Sequence, residues 1–208
     1  MTLSNYIIRP ETERDYRITE NLTREAFWNV YQPGCDEHYI LHTYRPRPEF
    51  IPELTCVLET EGKIAAHIMY SRAVIRTDDG RELPAALFGP VSVHPDFQRQ
   101  GYGSAIIRYT MEQARKMGIG AITISGNPKY YYRFGFVDAQ SKGIYYGDVP
   151  RSEPTPFFMV KELIPGYLDG VVGTYHDPEG YFVDPADVEK FDRQFPPKVK
   201  EKCPGQLV

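Results

Sequence analysis

The fold of this chain is decided by one segment, Val91-Ser92-Val93-His94-Pro95-Asp96-Phe97-Gln98-Arg99-Gln100-Gly101-Tyr102-Gly103-Ser104-Ala105. In it an apolar strand ends at His94-Pro95, and a polar loop with two glycines leads into an amphipathic helix predicted over 103–117. Glycines let a backbone approach a ligand closely, and the first N–H groups of a helix lack partners within it and carry partial positive charge. The segment therefore predicts a site for an anionic group, with Arg99 adding a formal charge at its rim.

Two other phosphate-binding motifs fit this segment poorly. A Walker A loop requires a lysine after its last glycine, and none follows Gly101 or Gly103. A dinucleotide fingerprint requires a third glycine where this chain has Ile106. It also requires an acidic residue at the end of the next strand, where this chain has Ser125. Nucleotide binding through the same glycine loop stays open as an alternative function.

The hexapeptide Gln98–Gly103 resembles the [RQ]-x-x-G-x-[GA] signature of the GNAT superfamily of N-acetyltransferases. The resemblance continues through Ala121-Ile122-Thr123-Ile124-Ser125-Gly126-Asn127. It includes Tyr130-Tyr131-Tyr132-Arg133-Phe134-Gly135-Phe136, which is similar to the aromatic helix and Gly-Phe ending of that superfamily. The resemblance is strong over residues 85–137 and extends, in the order of elements, over residues 5–163. The resemblance rests more on the order and spacing of these motifs than on the hexapeptide alone.

The resemblance implies an α/β protein of the α+β type. Its twisted, mixed and mostly antiparallel sheet would have about six to seven strands, flanked by helices, with the fourth and fifth strands splayed apart. We expect this domain over residues 1–163, with residues 164–208 as a C-terminal extension packed on it. In the extension we expect a hairpin, a short helix capped by Asp184 with Pro185 at its first position, and a flexible tail from about Pro196.

The resemblance also implies acetyl-CoA as co-substrate. It assigns ten positions to that molecule: Val91, Val93, Gln98, Arg99, Gln100, Gly101, Tyr102, Gly103, Ser104 and Asn127. By analogy, the backbone of the two valines would pair with the pantetheine arm, the amides of 99–104 would hold the pyrophosphate, and Asn127 would bond the pantetheine. Tyr131 would face the thioester sulfur as the catalytic general acid, while the Val93 N–H would steady the oxyanion.

The general base is missing from its usual place. Many members of the superfamily carry a glutamate on the fourth strand, and residues 85–93 contain neither an acid nor a histidine. The base would come from elsewhere or act through a water chain, or the reaction would proceed without one. Four residues are candidates: Glu37, His38, Glu59 and His67. The same gap leaves open a non-catalytic protein that binds acyl-CoA as a sensor.

The segment 31–44 is predicted to help form the acceptor site. It holds Cys35-x-x-His38-x-x-x-His42, a spacing typical of metal ligands, but it offers three ligands where a structural zinc site needs four. We therefore interpret it as a helix that lines a pocket, and we expect no metal. The three cysteines, Cys35, Cys56 and Cys203, indicate free thiols in a reducing compartment.

The composition of the chain indicates which classes of partner are favoured and which are not. The net charge of −4 argues against nucleic acid and mildly favours a cationic acceptor. No apolar run reaches the roughly 18 residues of a membrane span, and the N-terminus does not resemble a signal peptide. We expect a cytoplasmic monomer or homodimer that acetylates the primary amine of a small molecule or a protein.

Overall fold

The computed structural model describes residues 5–147 and 149–206. The strands within these residues are β1 (Tyr6–Pro10), β2 (Cys56–Thr60), β3 (Lys63–Thr77), β4 (Glu82–Val93), β5 (Ala121–Ser125), β6 (Val137–Asp138), β7 (Ile144–Tyr146), β8 (Phe158–Glu162) and β9 (Gly173–Tyr175). The α-helices are α1 (Tyr16–Phe27), α2 (Glu37–Tyr44), α3 (Tyr102–Lys116), α4 (Pro128–Tyr131) and α5 (Pro185–Asp192). None of these helices combines the length and apolarity that crossing a membrane requires.

The described residues form two compact units. The first unit takes the chain up to Met69, the segment Pro90–Tyr109, and the residues from Glu179 onward. The second unit takes Tyr70–Gly89 and Thr110–Pro178. Residues 164–208 are thus divided between the units, and the predicted boundary after residue 163 stays a prediction.

The first unit is built on antiparallel strands. β1 pairs with β2, and β2 pairs with the beginning of β3, with a shift in register after Leu58. Helix α2 buries Ile40, Leu41 and Tyr44 against Met69 of β3. Since apolar residues spaced three and four apart share one helix face, this stripe gives α2 its packing side.

The second unit is organised around β5, whose residues Ala121–Ile124 are all buried; three are apolar and Thr123 is polar, as is typical of a strand in the middle of a sheet. β5 runs parallel to β4 and antiparallel to β8, while β9 pairs antiparallel with β3 and parallel with β7. The parallel pairing joins Ala86 to Ile122 and Leu87 to Thr123, and β4 continues beyond it. This mixed, mostly antiparallel sheet with helices and a short parallel pairing of β4 with β5 confirms the predicted fold class.

The C-terminal residues differ from the prediction in two respects. The predicted hairpin is wrong, because β9 pairs with β3 and β7 instead of with a second strand of residues 164–206. In the second respect, the tail from Pro196 makes contacts within the first unit: the Trp28 indole N–H donates to the Val199 carbonyl at 2.9 Å, and Lys198 pairs with Glu25 at 2.7 Å. The predicted helix is confirmed as α5, where the Asp184 side chain accepts from the Ala186 N–H at 2.7 Å.

A buried ion pair joins α1 to α5 within the first unit. The Arg24 side chain is fully buried, and its Nε lies 2.6 Å from Oδ1 of Asp192. The Arg24 Nη2 makes a second bond to Oδ2 of the same carboxylate at 3.1 Å. A buried pair adds little net stability over an apolar pair, but loss of one partner leaves an uncompensated charge away from water.

We therefore expect Asp192→Asn to lower the free energy of unfolding by about 3 kcal/mol, because Arg24 would keep its charge without a carboxylate. Urea unfolding followed by circular dichroism measures the change. Glu112→Gln is the matched control, since Glu112 pairs with Arg115 at the surface, where such pairs contribute about 0.5 kcal/mol. Equal effects of the two substitutions would contradict the buried role of Asp192.

Candidate active site

The polar loop after β4 is held by hydrogen bonds from its own side chains. The Gln98 Nε2 donates to the Val93 carbonyl at 3.1 Å, and the Gln100 Nε2 donates to the Asp96 carbonyl at 2.9 Å. His94 Nδ1 accepts from the Asp96 N–H at 3.3 Å and so caps the short 3₁₀ turn Pro95–Phe97. These bonds fix the path of the chain between the strand and the helix.

At the end of β4, the backbone groups of every second residue point away from the neighbouring strand β3. The His94 N–H donates to the Ala65 carbonyl of β3 at 2.9 Å. Backbone groups of successive residues in a strand point to opposite sides, so the N–H and C=O groups of Val91 and Val93 point away from β3. The backbone at these two predicted positions thus faces the side of β4 on which a strand-like ligand would pair.

The start of α3 has the geometry of an anion site. Arg99 and Gly101 have φ values of 60° and 98°, which turn the chain sharply into the helix. The Ala105 N–H makes the first helical bond, to the Gly101 carbonyl at 3.0 Å, so the amides before it have no partner within the helix. The side chain of Arg99 is exposed, whereas Tyr102 and Gly103 are buried.

The second unit holds the other two predicted residues. Asn127 uses its Oδ1 to cap α4 by accepting from the Lys129 N–H at 3.0 Å, which leaves its Nδ2 as the donor for a ligand. Tyr131 is half-buried, and the centre of its ring lies 6.1 Å from that of Phe88 and 6.0 Å from that of Phe136. A Cβ atom on Gly126 would come within 2.7 Å of the Tyr131 ring, so the close packing of that ring requires glycine there.

The β4 strand offers no base near its end. Its one acid, Glu82, is exposed at the beginning of the strand and lies 3.5 Å from Arg76. The strand is buried from Ala85 to Phe88, and the first acid after it is Asp96 in the loop. The absence of an acid that was noted in the sequence is therefore also a property of the folded strand.

Two of the four base candidates are fully buried. The His67 Nε2 lies 3.3 Å from Glu11. Burial raises the pKa of Glu11, but the nearby His67 and Arg45 lower it by more and hold it at about 2. Burial lowers the pKa of His38 to about 4, and its Nε2 lies 3.1 Å from Asp192. Both imidazoles contact carboxylates inside the first unit, so neither faces solvent or an acceptor.

The other two candidates are more accessible. Burial and the neighbouring Asp36 raise the pKa of Glu37, which lies at the start of α2. Glu59 accepts a hydrogen bond from Arg9 Nε at 2.7 Å and lines a cavity of about 470 Å³ in the first unit. The Glu59 carboxylate is thus already engaged by the Arg9 guanidinium.

The metal-like spacing in α2 does not form a cluster of ligands. The Cys35 sulfur lies 3.5 Å from His38 Nδ1, but His42 Nδ1 lies 2.9 Å from Glu20 instead. Residues 5–147 and 149–206 contain no group of three His, Cys, Asp or Glu side chains that could hold a metal ion. Burial raises the pKa of the Cys35 thiol, and the three cysteines are all free.

Comparison with known proteins decides the family. The model of the acetyltransferase (GNAT) domain family matches residues 7–138. This range includes β4, the loop that follows it, α3, β5 and α4. The chain belongs to the GNAT acetyltransferase family. This assignment confirms the family that the loop and the Tyr-x-x-x-Gly-Phe segment indicated.

Relatives of this GNAT chain agree with that assignment. A protein of Escherichia coli K12, described as the uncharacterized N-acetyltransferase YjhQ, is 34% identical over 85 residues. That match covers 41% of this chain and 46% of the relative, so it spans less than half the length of either protein.

Solved structures extend the likeness to most of the chain. The GNAT family N-acetyltransferase YhbS from Escherichia coli, in complex with CoA, has a TM-score of 0.74 at 21% identity and covers 87% of this chain and 93% of its own. A GNAT family acetyltransferase from Brucella melitensis, in complex with acetyl-CoA, has a TM-score of 0.68 at 25% identity and covers 86% of this chain and 99% of its own. At 21% identity, the similarity to YhbS supports the fold of this chain and nothing more specific.

We expect Gln98→Ala to loosen the loop of this GNAT chain, because it removes the bond to the Val93 carbonyl. Hydrogen–deuterium exchange should then show amides 99–104 exchanging about fivefold faster, in line with the loss of one hydrogen bond of about 1 kcal/mol. Gln113→Ala on α3 is the control and should leave these amides unchanged. Unaltered exchange in Gln98→Ala would mean that this bond does not hold the loop.

Proposed function

We propose that this protein transfers an acetyl group from acetyl-CoA to a primary amine of an acceptor. The observation that carries the proposal is the loop of Gln98–Ser104, which leads from β4 into the first turn of α3, the end of a helix at which a diphosphate is favourably bound. The complexes of CoA with the Escherichia coli relative and of acetyl-CoA with the Brucella melitensis relative support the same cofactor.

The positions of coenzyme A follow from the outward strand groups of β4 and the amides of the loop. The outward groups of Val91 and Val93 would pair with the pantetheine arm as a neighbouring strand would, the Val93 carbonyl through its second lone pair because it already accepts from Gln98. Amides 99–104 and the charge of Arg99 would hold the pyrophosphate, with Gln98 and Gln100 keeping the loop in place. The Asn127 Nδ2 would donate to a pantetheine carbonyl.

The chemistry is direct attack. A neutral amine adds to the acetyl carbonyl, and the Val93 N–H stabilises the negative charge that develops on the oxygen. When the carbon–sulfur bond breaks, Tyr131 gives its proton to the leaving thiolate. No covalent enzyme intermediate is needed, which suits a chain whose Cys35 and Cys56 are buried thiols.

Other properties of the protein belong to the same proposal. The acceptor would be a cationic small molecule or a protein amine, reached past residues 31–44, and the protein would act in the cytoplasm as a monomer or homodimer. Residues 164–208 would form an extension of a catalytic domain in 1–163. The second candidate function is an acyl-CoA sensor, favoured by the missing acid near the end of β4.

We expect Gly103→Leu to weaken CoA binding about tenfold or more, since Gly103 is buried in the first turn of α3, where a side chain would displace the pyrophosphate. Isothermal titration calorimetry with CoA measures the dissociation constant. Gln113→Leu, farther along the same helix, is the control for a general effect on α3. If the wild-type protein gives no heat with millimolar CoA, the proposed cofactor is wrong.

We expect Tyr131→Phe to lower kcat by about 100-fold while CoA affinity stays within twofold, because the ring is kept and the proton donor is lost. Thiol release from acetyl-CoA, with a panel of primary amines, measures kcat. Tyr132→Phe is the matched control, since Tyr132 is an exposed neighbour on the same short helical segment. Equal turnover by Tyr131→Phe would assign the proton donor to another group, and CoA binding without turnover of any amine would favour the sensor.

A further inference from the structure

A buried pair of hydroxyl groups joins the end of β4 to α1 in the first unit. The Ser92 Oγ donates to Oγ1 of Thr23 at 2.9 Å. Both residues are fully buried, with 0% of the surface of each exposed. A hydroxyl that is removed from water costs free energy unless it finds a hydrogen-bond partner, so this strand and this helix are joined at one defined point.

Ser92 lies between the two residues whose backbone is proposed to meet coenzyme A. The N–H and C=O groups of Val91 and Val93 point away from β3, whereas those of Ser92 point towards it. They share that side with the His94 N–H, which donates to the Ala65 carbonyl. Successive side chains of a strand also point to opposite faces, so Ser92 directs its side chain to the α1 face and the two valines do not.

This end of β4 benefits from an anchor of its own. β5 pairs with β4 at Ala86 and Leu87, and Val91 and Val93 lie farther along the strand. A strand that is hydrogen-bonded along one edge has more freedom to twist about its own axis than a strand bonded along both edges. Such a twist would turn the outward N–H and C=O groups away from a ligand. A side-chain bond to a helix that packs on the sheet opposes it.

Helix α1 is a suitable anchor, because polar contacts hold it on both sides of Thr23. One turn earlier, Thr19 Oγ1 donates to Oε1 of Glu11 at 2.5 Å. In the next position along the helix, Nε of the fully buried Arg24 lies 2.6 Å from Asp192 of α5. The hydroxyl that receives the Ser92 bond therefore belongs to a helix that is already fixed to other elements of the first unit.

We propose that Ser92 is a positioning residue for acetyl-CoA, and this rests on the proposed acetyl transfer. By donating to Thr23, it sets the twist of β4 at which the backbone of Val91 and Val93 pairs with the pantetheine arm and the Val93 N–H meets the oxyanion. Because Ser92 is fully buried, it acts through the backbone on its two sides. Its effect therefore falls on the pantetheine arm and the thioester, and not on the diphosphate at the start of α3.

The first test compares two probes: CoA, and the nucleotide half of CoA without the pantetheine arm. Isothermal titration calorimetry on the full chain measures both dissociation constants. We expect Ser92→Ala and Thr23→Val each to weaken CoA binding about fivefold, as the loss of one hydrogen bond would, and to leave binding of the nucleotide half within about twofold of wild type. Thr23→Ser keeps the accepting hydroxyl and should bind CoA like wild type.

The matched control is Thr55→Val, which also removes a buried hydroxyl from the first unit. Thr55 Oγ1 donates to the Ile51 carbonyl at 3.0 Å, ahead of β2 and away from Ser92 in the chain. We expect this variant to be less stable in urea and to bind CoA within about twofold of wild type.

The double variant Ser92→Ala/Thr23→Val separates positioning from stability. Removing both hydroxyls leaves neither of them unsatisfied in the interior, so the urea midpoint should return towards wild type. CoA binding should stay about fivefold weaker. Thiol release from acetyl-CoA with the best amine of the panel should show kcat lowered about tenfold, because the Val93 N–H is no longer aimed at the oxyanion, with acceptor KM within about twofold.

The outcomes are distinct. The positioning role is overturned by wild-type CoA affinity in the double variant, by equal weakening of CoA and its nucleotide half in Ser92→Ala, or by weakening of CoA in Thr55→Val to the same extent. If Ser92→Ala does not fold, as judged by circular dichroism, Thr23→Val keeps the side-chain shape and carries the same comparison. Absence of CoA binding to wild type overturns the proposed function and the positioning role together. CoA binding without turnover of any amine overturns acetyl transfer alone, and the two dissociation constants then decide the role of Ser92.

Discussion

The short parallel pairing between β4 and β5 is the constraint on which the rest of the site depends. It joins two residue pairs, Ala86 with Ile122 and Leu87 with Thr123, and β4 then continues to Val93. A backbone group that is not paired within a sheet must find another partner or water, since an unsatisfied amide is costly. In the function we propose, a ligand with amides of its own, the pantetheine arm, would meet that requirement at Val91 and Val93.

Two kinds of backbone donor thus occur close together along the chain. The outward groups of β4 suit an extended amide, and the first amides of α3 suit a diphosphate. Four loop residues, 98–101, separate the 3₁₀ turn Pro95–Phe97 from α3. Side chains mainly hold this backbone in place, as Gln98 does through the Val93 carbonyl. In the function we propose, the coenzyme would therefore be bound mainly by backbone groups, with few specific side chains.

The carboxylates inside the two units have different partners. Buried carboxylates in the first unit, such as Glu11 and Asp192, are engaged by arginine and histidine side chains. The Asp177 carboxylate of the second unit instead accepts from two tyrosine hydroxyls, those of Tyr146 and Tyr175.

The sequence by itself determined the glycine loop before α3, the family and the main strands and helices, because these depend on local patterns: glycines before an amphipathic helix, an apolar strand and a capped helix start. Only the tertiary structure decided the partners of residues far apart in the chain. It paired β9 with β3 and β7, bound Val199 to Trp28, and brought the hydroxyls of Tyr146 and Tyr175 to the Asp177 carboxylate. It also placed His38 and His67 against carboxylates inside the protein. Such contacts follow from how strands pair and where side chains find hydrogen-bond partners, and no spacing along the chain encodes them.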